Sequence, residues 1–169
     1  MSDFRVERAE KAQQPLIEAM LQLYTHDFSE HWAGTPRGEL GEDGRFPPYP
    51  LDDYWREEGR VPLLFRKAGL PVGFALLNRY AHSGLPVDVS MAEFFVVRKH
   101  RREGLGRIAF DEILARHSGA WEVAVVRRNL AALDFWQRVL DGARTVTGFE
   151  ARDHRDARWD GTIFRFRVG

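Results

Sequence analysis

The sequence contains no cysteine. Disulfide bridges, thiolate-bound metal ions and a cysteine nucleophile are therefore excluded. The sequence also lacks any apolar run that approaches the ~18 residues needed to cross a membrane. Its first residues, Met-Ser-Asp-Phe-Arg, contain no apolar signal core. We expect a cytoplasmic protein that does not span a membrane.

An excess of charge of either sign is also lacking, because 25 basic residues balance 25 acidic ones. The charges are nevertheless unevenly placed. Residues 98–107 hold five basic side chains and one acid, whereas residues 39–58 hold seven acids and two arginines. A short basic cluster on a neutral protein favours a small anionic ligand over a long polyanion, which usually needs an extended basic face.

Two common kinds of catalytic site have no signature in the sequence. The six histidines are scattered, and His26 and His31 stand five residues apart rather than the four that place two ligands on one helix face. No Gly-x-Ser-x-Gly nucleophile elbow occurs. We therefore expect no metal site, and no serine-nucleophile motif is apparent.

What is present is a chain of 169 residues, long enough to bury a full core, and we expect a single domain over residues 1–169. The apolar spacing predicts an α/β (α+β) fold with a mixed sheet and helices on its faces. The predicted strands are residues 4–9, 61–66, 72–78, 87–97, 121–126, 144–151 and 162–168. The predicted helices are residues 15–28, 51–55, 104–117 and 130–140, with a long loop at 34–50 and a polar connection at 152–161.

The most informative segment runs from residue 91 to residue 110. An apolar strand ends at Val97, a basic turn follows, and Gly104 and Gly106 then open a helix. Backbone N–H groups at a helix N-terminus lack partners within the helix and attract anions. The two glycines would let a diphosphate approach the backbone, with charge added by Arg101, Arg102 and Arg107. The alternative is a tight turn in which the glycines serve close helix–strand packing.

A second motif, Asn129-Leu130-Ala131-Ala132-Leu133-Asp134-Phe135-Trp136, follows the next strand. With Arg101-Arg102-Glu103-Gly104-Leu105-Gly106 it resembles the GNAT superfamily of N-acetyltransferases, whose motifs are Arg/Gln-x-x-Gly-x-Gly/Ala and Asn-x-x-Ala-x-x-Phe-Tyr. The resemblance is specific over about residues 87–140. A dinucleotide-binding Gly-x-Gly-x-x-Gly fits less well, because its third glycine would be Ala109.

The resemblance implies a mostly antiparallel central sheet of about seven strands, with helices on both faces and strands 4 and 5 splayed apart. It implies acetyl-CoA as cosubstrate, with the thioester in the gap between these strands. The Val96 N–H would polarise the thioester carbonyl, and the pantetheine arm would pair with the strand like a neighbouring strand. The implied cofactor-binding residues are Phe95, Val96, Val97, Arg101, Arg102, Glu103, Gly104, Leu105, Gly106, Arg107, Asn129 and Phe135.

The sequence departs from the family motifs at two positions. The tyrosine that often reprotonates the CoA thiolate is Trp136 here, and an indole N–H donates hydrogen bonds but does not transfer its proton. The thiolate would then leave unprotonated, take a proton from water, or use another side chain. Arg102 replaces the first glycine of the turn and adds a phosphate donor.

An acceptor amine must lose a proton before it attacks, and a carboxylate near the thioester is the usual means. Glu93 is the best candidate, because it is an acid within an apolar strand and burial would raise its pKa. The alternative is that strand alternation points Glu93 to solvent or to an arginine. Related enzymes often carry this acid a few residues earlier, where this chain has Ser90.

The acceptor pocket should come from the first helix, the long loop and the last strands. The available groups are the acids of residues 39–58 together with Tyr24, Asp27, Tyr54 and Trp55. Such a pocket would favour a cationic amine. Alternatively, Tyr24 belongs to the helix core and the acids lie on a solvated loop.

The leading hypothesis is an N-acetyltransferase in which an unidentified amine, on a small molecule or a protein, attacks acetyl-CoA directly in a ternary complex. A non-catalytic acyl-CoA-binding module is the alternative suggested by Trp136. Nucleic-acid binding through residues 98–102 ranks last, because so short a patch neutralises few phosphates. The resemblance leaves a homodimer possible.

Overall fold

The computed structural model describes residues 3–169, which form seven strands and three α-helices. The strands are β1 (Phe4–Arg8), β2 (Val61–Lys67), β3 (Leu70–Asn78), β4 (Val89–Val96), β5 (Gly119–Val126), β6 (Val146–Arg155) and β7 (Asp160–Val168). The helices are α1 (Gln14–Ser29), α2 (Leu105–Leu114) and α3 (Leu130–Asp141). The predicted short helix near residue 52 is a 3₁₀ turn, Asp52–Trp55.

One mixed sheet contains all seven strands in the order β1-β2-β3-β4-β5-β7-β6. Strands β4 and β5 are parallel, and every other neighbouring pair is antiparallel. The predicted fold class, a mostly antiparallel mixed sheet of seven strands, is therefore confirmed.

Helices cover both faces of the sheet, as expected. On one face α2 and α3 bury an aromatic-rich core that includes Phe110, Trp121 and Phe164. On the other face α1 packs Ile17 and its neighbours against the outward side chains of β2 and β3. Each helix is amphipathic, so burying its apolar stripe on the sheet removes both apolar surfaces from water.

The sheet opens between β4 and β5. Their pairing covers only Val89–Met91 against Trp121–Val123, and the strands separate beyond it. The expected splay is thus present. Beyond Met91, no strand among residues 3–169 pairs with the β5-facing edge of β4. The backbone groups on that edge are therefore available to a ligand.

A β-bulge at Ala92 lies where the splay begins. Leu77 is opposite Met91, but the next residue along β3, Leu76, is opposite Glu93. Side chains alternate between faces along a strand, so without the extra residue Met91 and Glu93 would share a face. The bulge instead leaves Met91 in the core under α2 and α3 and turns Glu93 to the α1 face, beside Leu76.

Two predicted boundaries were wrong. The polar segment at 152–161 was predicted as a connection, but β6 and β7 pair as far as Arg155 opposite Asp160. Because β6 is an edge strand with mostly exposed side chains, its pairing needs no apolar alternation. Helix α2 ends at Leu114 rather than His117, since the amides of Arg116 and His117 bond to carbonyls three residues back.

Candidate active site

Two cavities meet at the splayed strands. The larger one, of about 1120 Å³, lies between β4 and the N-terminal ends of α2 and α3. The smaller one, of about 520 Å³, lies against the bulged part of β4 and the start of the 33–50 loop. Tyr24 and Phe28 of α1 line both cavities, so the two spaces adjoin at these rings.

The turn that the sequence predicts to bind a diphosphate, residues 101–107, forms one wall of the larger cavity. We call it the phosphate turn. Arg102 and Gly104 both have left-handed backbone conformations, with φ of 65° and 77°, and the first α2 hydrogen bond runs from Ile108 N to Gly104 O at 3.1 Å. The preceding amides therefore have no partner within the helix. Unpaired N–H groups at a helix N-terminus attract anions. This backbone fits a diphosphate.

The two glycines of the turn have different roles. A β-carbon at Gly104 would meet nothing within 4 Å, so this glycine is needed for its positive φ. A β-carbon at Gly106 would lie 3.0 Å from Phe135 Cε2 and 3.6 Å from Phe94 Cε1. Gly106 thus serves close packing of α2 on α3 and β4, as in the alternative interpretation of the glycine pair.

All three arginines of the turn line the larger cavity, but two of them already have partners within the protein. Arg101 donates from Nε to Val96 O at 2.7 Å and forms an ion pair with Asp27. Arg107 donates to Gly142 O at 2.8 Å. Both side chains are held at the cavity wall by these contacts. Arg102 is exposed at the cavity wall.

Glu103 and Asp27 also differ from their expected surroundings. Glu103 forms an ion pair with Lys67, and His100 lies 3.3 Å away, so its carboxylate faces the β2 side of the turn. Asp27 lines the larger cavity rather than the acceptor cavity, where we expected it. Burial of Asp27 acts to raise its pKa, but hydrogen bonds from Arg101 and Arg98 outweigh that and lower it.

Only one of the three predicted backbone positions on β4 faces the gap. Val97 N donates to Val72 O at 2.9 Å, and Phe95 is opposite Phe74, so both belong to the β3 side. Strand backbones alternate their direction, so the groups of Val96 point to the gap. Its carbonyl accepts the Arg101 hydrogen bond, which leaves the N–H to a ligand.

Helix α3 supplies the opposite wall. The side chain of Asn129 caps the helix by accepting from Ala132 N at 3.1 Å. Phe135 stacks on Phe94 with ring centroids 5.8 Å apart. Trp136 lines the cavity too, but it is only 5% exposed and its ring packs edge-on against Phe110 at 5.0 Å.

Glu93 lies in the smaller cavity, among phenols rather than beside an arginine. The hydroxyls of Tyr24 and Tyr49 approach its carboxyl group. Burial raises the pKa of Glu93 to about 7, although hydrogen bonding by the two tyrosines acts in the opposite direction. A carboxyl that titrates near neutral pH is suited to general-base catalysis.

The other predicted acceptor residues do not line the smaller cavity. Tyr54 is buried in the core under α1, with its hydroxyl 3.4 Å from Asn78 Nδ2. Trp55 donates from Nε1 to Ala9 O at 3.0 Å. Both residues hold the 3₁₀ turn against the sheet. Tyr24 does line the smaller cavity, as expected.

Several residues of the smaller cavity were missed. Its aromatic walls come from distant parts of the chain: Phe28, Trp32, Tyr49, Tyr80, His82 and Trp159. Trp159 lies in the turn between β6 and β7. Its Nε1 donates to Val125 O at 3.2 Å. The sequence did indicate a long loop at residues 34–50 with aromatic residues on either side of it. No local pattern indicates that these aromatic residues meet in one cavity.

Neither a metal centre nor a membrane segment was found in the part of the chain that the structure describes. Within residues 3–169, no three histidine, aspartate or glutamate side chains group closely enough to bind a metal ion. None of the helices in the same range has the length and apolar character to cross a bilayer.

Comparison with known proteins gives a family match. The model of the acetyltransferase (GNAT) family matches residues 17–141, which include most of α1, the phosphate turn and α3. A search of curated protein sequences found no match.

Solved structures share the fold at low sequence identity. An acetyltransferase from Thermus thermophilus has a TM-score of 0.68 and 17% identity over all of both chains. YncA from Salmonella typhimurium, determined with acetyl-CoA, has a TM-score of 0.58 and 15% identity over 98% of this chain and 93% of its own. Spermidine N-acetyltransferase from Vibrio cholerae, determined with CoA and spermine, has a TM-score of 0.61 and 10% identity over 98% and 95%.

Proposed function

The chain belongs to the GNAT acetyltransferase family, and we propose that it transfers the acetyl group of acetyl-CoA directly to an amine in a ternary complex. The larger cavity would bind the donor and the smaller cavity the acceptor. Acetyl-CoA, when bound, supplies the acetyl group as a thioester. Groups of the chain would carry out every other step.

The donor would be held by the backbone of the phosphate turn and by β4. The amides that follow Gly104 would bind the diphosphate, with Arg102 as the nearest mobile cation. The Val96 N–H, which faces the gap, would donate a hydrogen bond to the thioester oxygen and stabilise its developing negative charge. Phe135 and the Asn129-capped end of α3 would close the other side.

Glu93 would act as the general base. Its carboxylate lies in the acceptor cavity at the start of the splay, and its raised pKa gives it a useful affinity for the proton of an attacking ammonium group. Glu93 in its cavity, turned there by the bulge at Ala92, is the observation that carries this proposal.

The leaving thiolate requires a proton, and Trp136 is not an acid that can supply one. Among the described residues that line the larger cavity, Tyr24 alone carries a side-chain hydroxyl. Burial holds the pKa of Tyr24 well above its usual value, so the hydroxyl keeps its proton at neutral pH. Tyr24 would give its proton to the sulfur in the same step in which Glu93, protonated by the amine, passes a proton to the phenol oxygen, so no phenolate forms. The second proton of the amine would go to water, and Trp136 would position the donor.

The experiment is to measure CoA release from acetyl-CoA with a panel of amines, comparing the wild type with Glu93→Gln. We expect turnover with at least one amine and a large loss in the variant. A non-catalytic acyl-CoA-binding module, the alternative raised by Trp136, would show thermal stabilisation by acetyl-CoA but no CoA release above the uncatalysed rate.

We also propose that residues 1–169 form one domain, and that the protein is cytoplasmic and has no nucleic-acid partner. The pairing of Arg98 and Arg101 with Asp27 supports the last point, because it neutralises part of the basic patch. A homodimer is a further expectation, which sedimentation would test.

A further inference from the structure

The charges of the smaller cavity indicate what kind of amine it accepts. Three charged side chains line it: Arg37, Glu93 and Glu122. Glu122 is 1% exposed, and its carboxylate accepts hydrogen bonds from Arg165 at 2.7 Å and from the Ser83 hydroxyl at 2.5 Å. Its charge is therefore already balanced. Glu93 and Arg37 remain for a ligand.

Arg37 is placed at this cavity by its packing on Trp32. Its guanidinium carbon lies 4.7 Å from the centre of the indole ring, and a β-carbon at Gly38 would be only 2.7 Å from Trp32 Cε3. The Thr35 hydroxyl donates to Trp32 O at 2.7 Å and fixes the turn. Within residues 3–169, no carboxylate oxygen lies within 4 Å of the Arg37 guanidinium.

The walls near these two charges are aromatic. His82 packs between Tyr80 and Trp159, with ring centroids 4.9 and 4.3 Å away. Burial lowers the pKa of His82, so the ring is neutral at physiological pH and adds no charge. Phe28 packs edge-on against Trp32 at 5.1 Å. An apolar or aromatic body would fit these surfaces.

The acids of residues 39–58 do not contribute to the cavity, which changes the expected substrate. Of that segment only Tyr49 lines it. A polyamine would find one carboxylate, Glu93, and would bring further ammonium groups close to Arg37. The acids of this segment therefore do not form the acid-lined pocket that was expected for a cationic amine.

We propose that the acceptor is a small amine that also carries an anionic group, a carboxylate or phosphonate, on an apolar or aromatic body. Its amine would lie at Glu93, its body between the rings of Trp32, Tyr80 and Trp159, and its anion on Arg37. This inference rests on the proposed acetyl transfer.

The test compares matched acceptors. Initial rates of CoA release are measured with 4-(aminomethyl)benzoate and phenylalanine, with the amide of each, and with spermidine. We expect kcat/KM to be at least about tenfold higher for the acids than for their amides, the size of one charge-assisted hydrogen bond. Arg37→Gln should abolish that preference, mainly through KM. Arg45→Gln, in the same loop but outside the cavity, should retain it.

Binding gives a second measurement that does not depend on turnover. Thermal shifts by the two acids in the presence of CoA should be larger than those by the amides in the wild type, and equal to them in Arg37→Gln. Turnover that favours the amides or spermidine would overturn the inference and leave acetyl transfer intact. Acid binding that depends on Arg37 without any turnover would support the inference and count against the proposed reaction.

Discussion

Gly106 and Phe135 are packed so closely that a β-carbon at Gly106 would force the Phe135 ring to shift. A β-carbon at Gly106 would lie 3.0 and 3.1 Å from two atoms of the Phe135 ring. Phe135 in turn stacks on Phe94 of β4. The glycine of the family motif therefore permits the close packing of the two helices whose N-terminal ends line the larger cavity.

The first prediction follows from this contact. Gly106→Ala should lower the free energy of unfolding by about 1–2 kcal/mol, because the Phe135 ring must move out of a packed site, and it should weaken CoA binding. Urea denaturation and calorimetric titration with CoA measure the two effects. Gly148→Ala is a control for backbone strain without packing, since Gly148 has a positive φ, 62°, and a β-carbon there would meet nothing within 4 Å. Unchanged stability and CoA affinity in Gly106→Ala would contradict the packing argument.

Glu93 should determine the acidic limb of the pH–rate profile. With a saturating amine, the wild-type kcat should fall as pH decreases below about 7, because the carboxylate becomes protonated. Glu93→Gln should be slower by about 10²-fold at pH 8 and should lack that limb. Glu150→Gln, on the exposed edge strand β6, should behave like the wild type. A limb that persists in Glu93→Gln would exclude Glu93 as the base.

The Tyr24 hydroxyl should shift that limb. Its hydrogen bond lowers the pKa of Glu93, so Tyr24→Phe should raise the pKa and move the midpoint to higher pH. Loss of the proposed proton donor should also reduce kcat with little change in the KM for acetyl-CoA. Tyr80→Phe, in the same cavity, is the control. The combined variant Tyr24→Phe with Trp136→Tyr should recover part of kcat if a hydroxyl at either position can reach the sulfur.

Asp27 should contribute stability only above acidic pH. Its pKa is lowered by Arg101 and Arg98, so the folded state favours the carboxylate. The stabilisation is present above the ordinary carboxyl pKa and is lost as pH falls through the lowered value. Asp27→Asn should cost about 1 kcal/mol at pH 7 and close to nothing at pH 3. Asp134→Asn, which breaks an exposed pair with Arg138, should change stability less. Equal losses for Asp27→Asn at both pH values would contradict the assignment.

Trp136 should prove more important to folding than to chemistry. The side chain is buried against Phe94 and Phe110, so Trp136→Phe leaves a void and should lower the free energy of unfolding by about 1–3 kcal/mol. We expect kcat at 20 °C to change less than threefold, a small ratio on the scale of ~1.4 kcal/mol per tenfold change. A much larger fall in kcat, at unchanged KM for acetyl-CoA, would give Trp136 a direct catalytic role.

Local sequence was sufficient for the order of the α-helices and strands and for the starts of α2 and α3. Helix α2 begins at Gly104 because a glycine accepts φ of 77° there, and α3 begins after Asn129 because its side chain caps the first turn. Such signals act over three or four residues. They therefore located the turn before α2 and placed it one strand before the second motif.

Side-chain direction was less predictable. The sequence contains Arg101 and Arg107 at the turn, but their partners, Val96 O and Gly142 O, lie elsewhere in the fold. A long side chain bonds to whichever acceptor the tertiary structure brings within reach, and its sequence neighbours do not determine that. The same applies to Asp27, which folding placed beside Arg98 and Arg101.

By itself, then, the sequence determined the resemblance to an acetyl-CoA-dependent family, the mixed sheet and the turn whose backbone would hold a diphosphate. Each of these depends on motifs of neighbouring residues. Only the tertiary structure decided that Gly106 packs against Phe135, that the bulge at Ala92 turns Glu93 to Tyr24 and Tyr49, and that Arg37 lines the same aromatic cavity as Glu93. These relationships join residues far apart in the chain. They arise from packing and register, which no short segment specifies alone.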